Sequence, residues 1–276
     1  MRRVAYRGFQ MTGRWRIAPM LEDRWMTLRV CIAGITGWTG SAIAPAVEEA
    51  SDLELVGGVA RSDPHHHSTV AEALTASPAD VLVDFTHASA VKDNVLAALE
   101  HGANVVIGSS GLSATDFDEI DARARERGLG VVSAGNFSLT AALLLRSAVE
   151  AARHLDTWEI IDYASAKKTD APSGTARELA ERLAEVREPT IGVPVDDVIG
   201  PDGARGATVA GVQVHSLRLP SFVVSTEVVF AGTGERLSIR HDAGESPAPY
   251  VAGTLLAIRA APGRVGLTRG LDRLLD

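Results

Sequence analysis

The chain has 276 residues and a formal net charge of −8, with 46% hydrophobic and 22% charged residues. This composition is typical of a globular protein large enough for two domains or one large α/β domain. The acidic balance disfavours nucleic acid or an anionic membrane as a partner, and no stretch approaches the roughly 20 apolar residues of a membrane span. A single cysteine, Cys31, excludes an internal disulfide and indicates a reducing, cytoplasmic compartment.

The first residues contain several arginines but no continuous apolar run, so they do not resemble a signal peptide. The first clear strand pattern begins at Leu28. We therefore predict that residues 1–26 are an N-terminal extension that adds nothing to the functional site.

A glycine turn follows this first strand, 28–33, and precedes a helical pattern at 41–50. A strand, a glycine turn and a helix form the context of a dinucleotide site, because glycine lets the backbone approach a pyrophosphate at the helix N-terminus. The spacing is G-x-x-G-x-x-G, and turns collect glycine for other reasons too. The predicted cofactor residues here are Gly34, Thr36, Gly37, Trp38, Thr39 and Gly40.

The second strand, 53–59, ends at Ala60 and Arg61. Many NAD sites place an acidic residue here for the ribose hydroxyls, whereas arginine suits a 2′-phosphate. We predict NADPH as the preferred cofactor, with NADH as a possible second one; the alternative is a solvated arginine at a strand end. Three adjacent histidines, 65–67, cannot converge on one metal from regular structure, so no metal site is predicted.

Three more strands, 81–85, 104–107 and 129–134, alternate with helices at 89–101, 114–127 and 139–154. The strands are nearly all apolar, which is typical of a parallel sheet covered on both faces. Ligands of such sheets bind beyond the carboxyl ends of the strands. The loops there supply further predicted cofactor residues, namely Phe85, Thr86, Gly108, Ser110, Asn136 and Phe137.

A polar loop then joins a strand, 158–163, to a helix, 175–186. Unpaired N–H groups and the positive end of the helix dipole attract an anion, so Ser173, Gly174 and Thr175 are predicted to hold a carboxylate or phosphate with Lys168 as the counter-charge. The plain alternative is a capped helix after a solvated loop.

The last third changes character, with predicted antiparallel strands at 207–219, 223–231 and 236–242, a helix at 249–260 and a polar tail. The order predicts an α/β fold in which a Rossmann-like dinucleotide-binding domain, 27–137 and 247–276, is interrupted by an α+β domain, 138–246, for substrate binding and oligomerisation.

From about Leu28 onward the chain resembles the dihydrodipicolinate reductase family. The resemblance rests on the glycine turn and on segments 84–86, 108–111, 136–138, 168–176, 211–218 and 234–241. It implies an NAD(P)H-dependent enzyme of lysine and diaminopimelate biosynthesis that reduces a cyclic imine bearing two carboxylates. It also implies a homotetramer assembled through the substrate-domain sheets.

The chain departs from the family where family members carry two histidines, proposed as proton donor and carboxylate contact. Ala164 and Ser165 occupy these positions, and an alanine cannot transfer a proton. Lys167, Tyr163 and water are open as proton sources. The predicted catalytic residues are Lys168, which the resemblance retains, and Lys167. A family arginine near Glu245 is also missing, and His215 and His241 are expected to be structural.

The predicted function is an NAD(P)H-dependent reductase that transfers a hydride to a cyclic, conjugated imine carboxylate, with a substrate that can differ from dihydrodipicolinate. The alternative is a non-catalytic NADPH-binding sensor of carboxylates. A dehydrogenase acting on an aldehyde or hydroxy acid ranks lower, because the chain lacks the usual cysteine or histidine apparatus.

Overall fold

The computed structural model describes residues 27–275, so the predicted extension lies outside it. The elements in chain order are β1 (Leu28–Ala33), α1 (Gly40–Glu49), β2 (Leu53–Val59), α2 (Val70–Ala76), β3 (Val81–Asp84), α3 (Val91–Glu100), β4 (Asn104–Ile107), α4 (Ala114–Arg127), β5 (Gly130–Ser133), α5 (Leu139–Ala152), β6 (Thr157–Ser165), α6 (Gly174–Ala184), β7 (Ala207–Val209), β8 (Val212–Leu219), β9 (Val224–Gly232), β10 (Glu235–Asp242), α7 (Ala248–Ala260) and β11 (Gly266–Arg269).

The first sheet has six parallel strands in the order β11-β5-β4-β3-β1-β2. Alternate residues of β1 enter different core clusters: Val30 and Ile32 pack with α1 and α7, whereas Cys31 and Ala33 pack with α2, α3 and α4. This period of two on a strand buried on both faces explains its continuous apolar sequence. Burial also raises the pKa of the Cys31 thiol to about 12, so this thiol is inert.

The second sheet has five strands in the order β10-β9-β6-β8-β7, and α5 and α6 cover one face of it. Along the central strand β6, Trp158, Ile160, Asp162 and Ala164 are buried on the helix side, whereas Tyr163 belongs to the alternate, partly exposed set. The strands β6 to β10 lie in sequence between β5 and β11 of the first sheet. The predicted fold class, a Rossmann-like sheet with an inserted α+β unit, is confirmed.

The structure corrects four details of the predicted elements. Residues 207–219 form a hairpin, β7 and β8, because Ala210 and Gly211 turn the chain with positive φ. The arrangement is not wholly antiparallel, since β6 and β8 are parallel and joined across α6. The polar tail contains β11, whose four residues extend the first sheet by pairing with β5. The short helix α2 was not predicted.

Candidate active site

Two hollows lie at the carboxyl edge of the first sheet. We call the first, at the ends of β1, β2 and β3, the edge groove; its volume is ≈ 660 Å³. We call the second the interdomain cavity; it has a volume of ≈ 240 Å³ and lies between the loops after β4 and β5 and the start of α6. The two adjoin at Gly108, where an added Cβ would collide with the ring of Phe85. They therefore lie side by side along the sheet edge, with the ring of Phe85 packed against Gly108 where they meet.

The glycine turn gives the edge groove its shape. Gly34 has φ +82°, and a Cβ on it would collide with the carbonyl oxygen of Phe85. A Cβ on Gly40 would collide with the carbonyl of Gly34. Thr39 makes no side-chain capping bond, but the N–H groups of Ser41 and Ala42 in the first turn of α1 already donate to backbone carbonyls of the glycine turn. Within residues 27–275, the N–H groups of Trp38, Thr39 and Gly40 donate to no acceptor, so the turn itself presents free amides. This turn fits the pyrophosphate of a dinucleotide.

A buried carboxylate fixes the loops between the groove and the cavity. Asp84 Oδ1 accepts hydrogen bonds from the Thr86 hydroxyl at 2.8 Å and the Ser109 hydroxyl at 2.5 Å. Asp84 Oδ2 accepts one from Asn94 Nδ2 at 2.8 Å. The sequence contained this residue within a family segment, but its positioning role is visible only in the structure.

The predicted cofactor residues fall into three groups. The edge groove is lined by Gly34, Thr36, Gly37, Arg61, Phe85 and Thr86. The interdomain cavity is lined by Gly108 and Ser110.

The third group lies behind these surfaces, in positions that support the loops. Phe137 is buried and packs edge-on against Phe85 at 5.6 Å. Trp38 is half exposed and packs against Tyr250 at 5.8 Å. The side chain of Asn136 donates to the Thr175 hydroxyl at 3.3 Å and so joins the first sheet to α6. Thr39 and Gly40 begin α1.

The two lysines of the polar loop have different surroundings. Lys168 lines the interdomain cavity and forms an ion pair with Asp170 at 2.7 Å. Lys167 is exposed and lies outside that lining. The structure therefore places Lys168, but not Lys167, beside the predicted anion pocket.

The start of α6 is held in place by a buried ion pair. Asp162, fully buried, accepts hydrogen bonds from the Ser173 N–H at 2.8 Å and the Ser173 hydroxyl at 2.6 Å. Arg218 binds the same carboxylate at 2.9 Å and the carbonyl of Asp170 at 2.6 Å. No feature of the sequence indicates that Asp162 and Arg218, on strands far apart in the chain, meet in the fold.

This network revises the predicted role of Ser173. Its only hydroxyl proton goes to Asp162, and the oxygen accepts the N–H of Ala176 at 3.3 Å. In the described part of the chain, the N–H groups of Gly174 and Thr175 donate to no acceptor. Ser173 thus caps the helix, and these two amides remain available to an anion.

Tyr163 does not face the interdomain cavity. Its hydroxyl donates to Glu227 at 3.2 Å, and its ring stacks on Phe222 and under Arg240 on the other face of β6. Burial and the neighbouring carboxylate raise the pKa of Tyr163. These contacts direct the phenol away from the cavity and give no support to the hypothesis that it supplies the proton.

The two downstream histidines have protein partners outside the cavity. His215 Nε2 lies 2.6 Å from Glu159 Oε2. His241 is buried, and its Nε2 lies 3.3 Å from the Ser138 hydroxyl. Burial lowers the pKa of His241 and favours its neutral form.

Sequence reasoning missed four ionisable residues that line the cavity, namely Arg177, Glu178, Glu181 and Arg269. Arg177 is exposed at its wall and forms no ion pair within residues 27–275. Glu178 is partly buried, and its Oε2 accepts the N–H of Gly135 at 2.9 Å. Burial raises the pKa of Glu178 to about 7. Its spacing of four from Gly174, which puts both on one helix face, was the available signal.

Comparison with known proteins establishes the family. The family described as "Dihydrodipicolinate reductase, N-terminus" matches residues 28–137, and "Dihydrodipicolinate reductase, C-terminus" matches residues 140–275. The chain belongs to the dihydrodipicolinate reductase family.

Similar curated proteins are named 4-hydroxy-tetrahydrodipicolinate reductase. The one from Nocardia farcinica is 41% identical and is aligned over 91% of this chain and 100% of its own length. The one from Corynebacterium diphtheriae is 38% identical over 91% and 100% of the two chains. These relatives confirm the predicted class, an NAD(P)H-dependent oxidoreductase of this family, and give no support to the sensor alternative.

Solved structures agree with this assignment. A dipicolinate-bound dihydrodipicolinate reductase from Paenisporosarcina sp. TG-14 superposes with a TM-score of 0.74 at 28% identity, covering 91% of this chain and 100% of that one. An NAD complex of GenD2 from gentamicin A biosynthesis, at 17% identity and a TM-score of 0.62, shares the fold. None of the helices within residues 27–275 has the length and apolar character to cross a membrane.

Proposed function

We propose that this protein is a cytoplasmic, NADPH-preferring reductase of a cyclic, conjugated imine that carries carboxylates, either dihydrodipicolinate or a close chemical relative. One observation carries the proposal: the interdomain cavity combines Lys168 and the free amides of α6 with the loops that follow β4 and β5. An anionic ring held there would lie against the cofactor side of the site.

The edge groove supplies the cofactor half of the proposal. The free amides of the glycine turn before α1 would hold the pyrophosphate, and Arg61 lines the same groove beyond β2. Arg61 forms no ion pair within residues 27–275, so its charge is available to a 2′-phosphate. When bound, the nicotinamide supplies the hydride for the reduction.

In the cavity, one carboxylate would bind Lys168 and the amides of Gly174 and Thr175. Charge-assisted bonds of this kind are stronger than neutral ones, and the Asp162–Arg218 pair holds the donors in place beforehand. Arg177 is the available cation for a second carboxylate, in place of the family contacts that this chain lacks. The site therefore favours a substrate with at least one carboxylate.

The second sheet is the proposed surface for a homotetramer. Leu219 is 48% exposed and Leu237 is 44% exposed, and both belong to strands of this sheet. Exposed leucines on a sheet are consistent with burial against other copies of the chain. Analytical ultracentrifugation of the wild-type protein would show a tetramer if this inference is right and a monomer if it is wrong.

The test of the proposed function is NADPH oxidation with freshly generated dihydrodipicolinate and with other cyclic imine carboxylates. NADPH binding, followed by fluorescence, is the control for a folded site. We expect turnover with at least one of these imines. Binding of NADPH without oxidation by any of them would contradict the proposed function.

A further inference from the structure

The reduction consumes a proton as well as a hydride, and the positions that carry histidines in the family hold Ala164 and Ser165 here. Tyr163 lies on the other face of β6, and Lys167 lies outside the interdomain cavity. The ionisable side chains that line this cavity are Lys168, Arg177, Glu178, Glu181 and Arg269.

These five side chains divide by charge and by partner. Lys168, Arg177 and Arg269 are cations suited to holding carboxylates. Glu181 is paired with Arg269 at 2.6 Å, so its carboxylate already has a cationic partner. Glu178 forms no ion pair within residues 27–275, and its carboxyl accepts a hydrogen bond from the N–H of Gly135 at 2.9 Å. It is the lining side chain best able to carry a transferable proton near neutral pH.

The position of Glu178 in the fold is defined on both sides. It lies one turn after Gly174 on α6, so both residues face the end of β5. A Cβ placed on Gly135 would lie 2.7 Å from the Gly174 carbonyl oxygen and 3.1 Å from Glu178 Oε2. The carboxyl is therefore held where the substrate-binding helix meets the edge of the cofactor-binding sheet. Its other oxygen, Oε1, accepts no hydrogen bond within residues 27–275.

The charges around Glu178 come from three elements. Asp272, after β11, raises the pKa of Glu178, whereas Arg269 on β11 and Arg182 on α6 lower it. Burial outweighs both arginines and brings the pKa to about 7. Lys168 lies in the same cavity lining. The protonated, proton-donating form is therefore well populated at and below neutral pH and is lost as pH rises through about 7.

We propose that Glu178 is the catalytic acid of this protein, donating its carboxyl proton to the imine as it is reduced. This inference rests on the proposed function. The conjugated ring accepts a hydride at one carbon, and an electron pair moves to a ring atom further along the C=C–C=N system. The Glu178 O–H bond breaks, and a bond from the proton to that atom forms. Solvent water returns a proton to the carboxylate before the next turnover.

A purely structural role is the competing explanation, because Glu178 also joins α6 to Gly135. Glu178→Gln separates the two roles, since the amide oxygen still accepts the Gly135 N–H but the side chain has no acidic proton. Glu178→Asp keeps the acid on a shorter side chain. The matched control is Glu185→Gln, the same substitution at the C-cap of α6, an exposed site paired with Arg273.

The experiment measures turnover of dihydrodipicolinate or another accepted imine as a function of pH, with fluorescence titration of NADPH and of pyridine-2,6-dicarboxylate. We expect wild-type kcat to fall as pH rises above about 7. We expect Glu178→Gln to lower kcat by about 100- to 10,000-fold, with a residual rate that no longer depends on this ionisation, and Glu178→Asp to restore part of the rate. Both dissociation constants should stay within about twofold of wild type.

Three outcomes separate this inference from the proposed function. If the wild-type protein turns over and Glu178→Gln binds both ligands normally but has a strongly reduced kcat, the assignment of Glu178 as the catalytic acid is supported. Equal turnover and an unchanged pH profile in Glu178→Gln overturn the acid and leave the proposed function standing. Wild-type protein that binds NADPH but reduces no imine overturns both.

Discussion

The edge groove and the interdomain cavity are shaped by different parts of the chain. In the groove, the backbone of the glycine turn defines the surface, and an added Cβ on Gly34 or Gly40 would collide with a backbone carbonyl oxygen. In the cavity, side chains define the surface: Lys168, Arg177 and Glu178 line it, and a buried pair between Asp162 and Arg218 positions them.

The two kinds of surface differ in how freely their residues can be exchanged. Backbone amides and glycines bind the part of a dinucleotide that all such cofactors share, so the groove has little room to change. Side chains in the cavity can be exchanged one at a time, and each exchange alters substrate or proton chemistry without altering the fold.

The largest effect is expected from breaking the ion pair that holds the side chains of the interdomain cavity in place. Asp162→Asn should lower the free energy of unfolding by about 3–5 kcal/mol, because it removes a fully buried carboxylate, leaves the partly buried Arg218 without its counter-charge and weakens the capping of α6. Denaturant unfolding measures this. The control is Glu150→Gln, which removes an exposed pair with Arg153 and should cost less than about 1 kcal/mol. Equal losses in both variants would show that the Asp162 pair does not hold the cavity.

The next largest effect is expected from a substitution in the glycine turn, whose backbone shapes the edge groove. Gly34→Ala should weaken NADPH binding by about 100-fold or more, because alanine is strained at φ +82° and its Cβ meets the Phe85 carbonyl. Fluorescence titration measures the affinity. Gly192→Ala is the matched control, since a Cβ there has no atom within 4 Å and its φ is not positive. Unaltered NADPH affinity in Gly34→Ala would place the cofactor elsewhere.

A smaller effect compares adjacent lysines within the cavity loop. Lys168→Ala should weaken binding of pyridine-2,6-dicarboxylate by about 10- to 100-fold, the range expected for a lost charge-assisted hydrogen bond, and leave NADPH binding unchanged. Lys167→Ala serves as the control, because Lys167 is exposed and lies outside the cavity lining. Isothermal titration calorimetry measures both. A larger loss from Lys167→Ala than from Lys168→Ala would reverse the proposed assignment of the two lysines.

The smallest effect is expected from Arg61, a side chain of the edge groove proposed to contribute to NADPH binding. Arg61→Ala should weaken NADPH binding by about tenfold through loss of one charge–phosphate contact at an exposed site. NADH lacks the 2′-phosphate and is the internal control, with an unchanged dissociation constant. Similar losses for both cofactors would show that Arg61 contacts a group that NADPH and NADH share.

The sequence by itself determined the fold class, the family and most elements. Hydrophobic periodicity and the capping and turn residues at element ends are local features, so they can be read without the tertiary structure. The helix α4 begins and ends where predicted, since Ser113 and Asp116 form a capping box and Gly128 ends the helix with positive φ. The glycine turn and the Lys168 loop were likewise visible as short motifs. Misjudged elements such as β11 were short, and β11 owes its strand conformation to pairing with β5.

Only the tertiary structure decided which side chains share a surface. Tyr163 and Ala164 are adjacent in sequence, but the alternation of β6 sends them to opposite faces. Asp162 and Arg218 meet because β6 and β8 are neighbours, and Glu178 meets Gly135 because α6 packs against the end of β5. The burial that raises the pKa of Glu178 arises from this packing, since desolvation depends on every element around a group and not on its sequence neighbours.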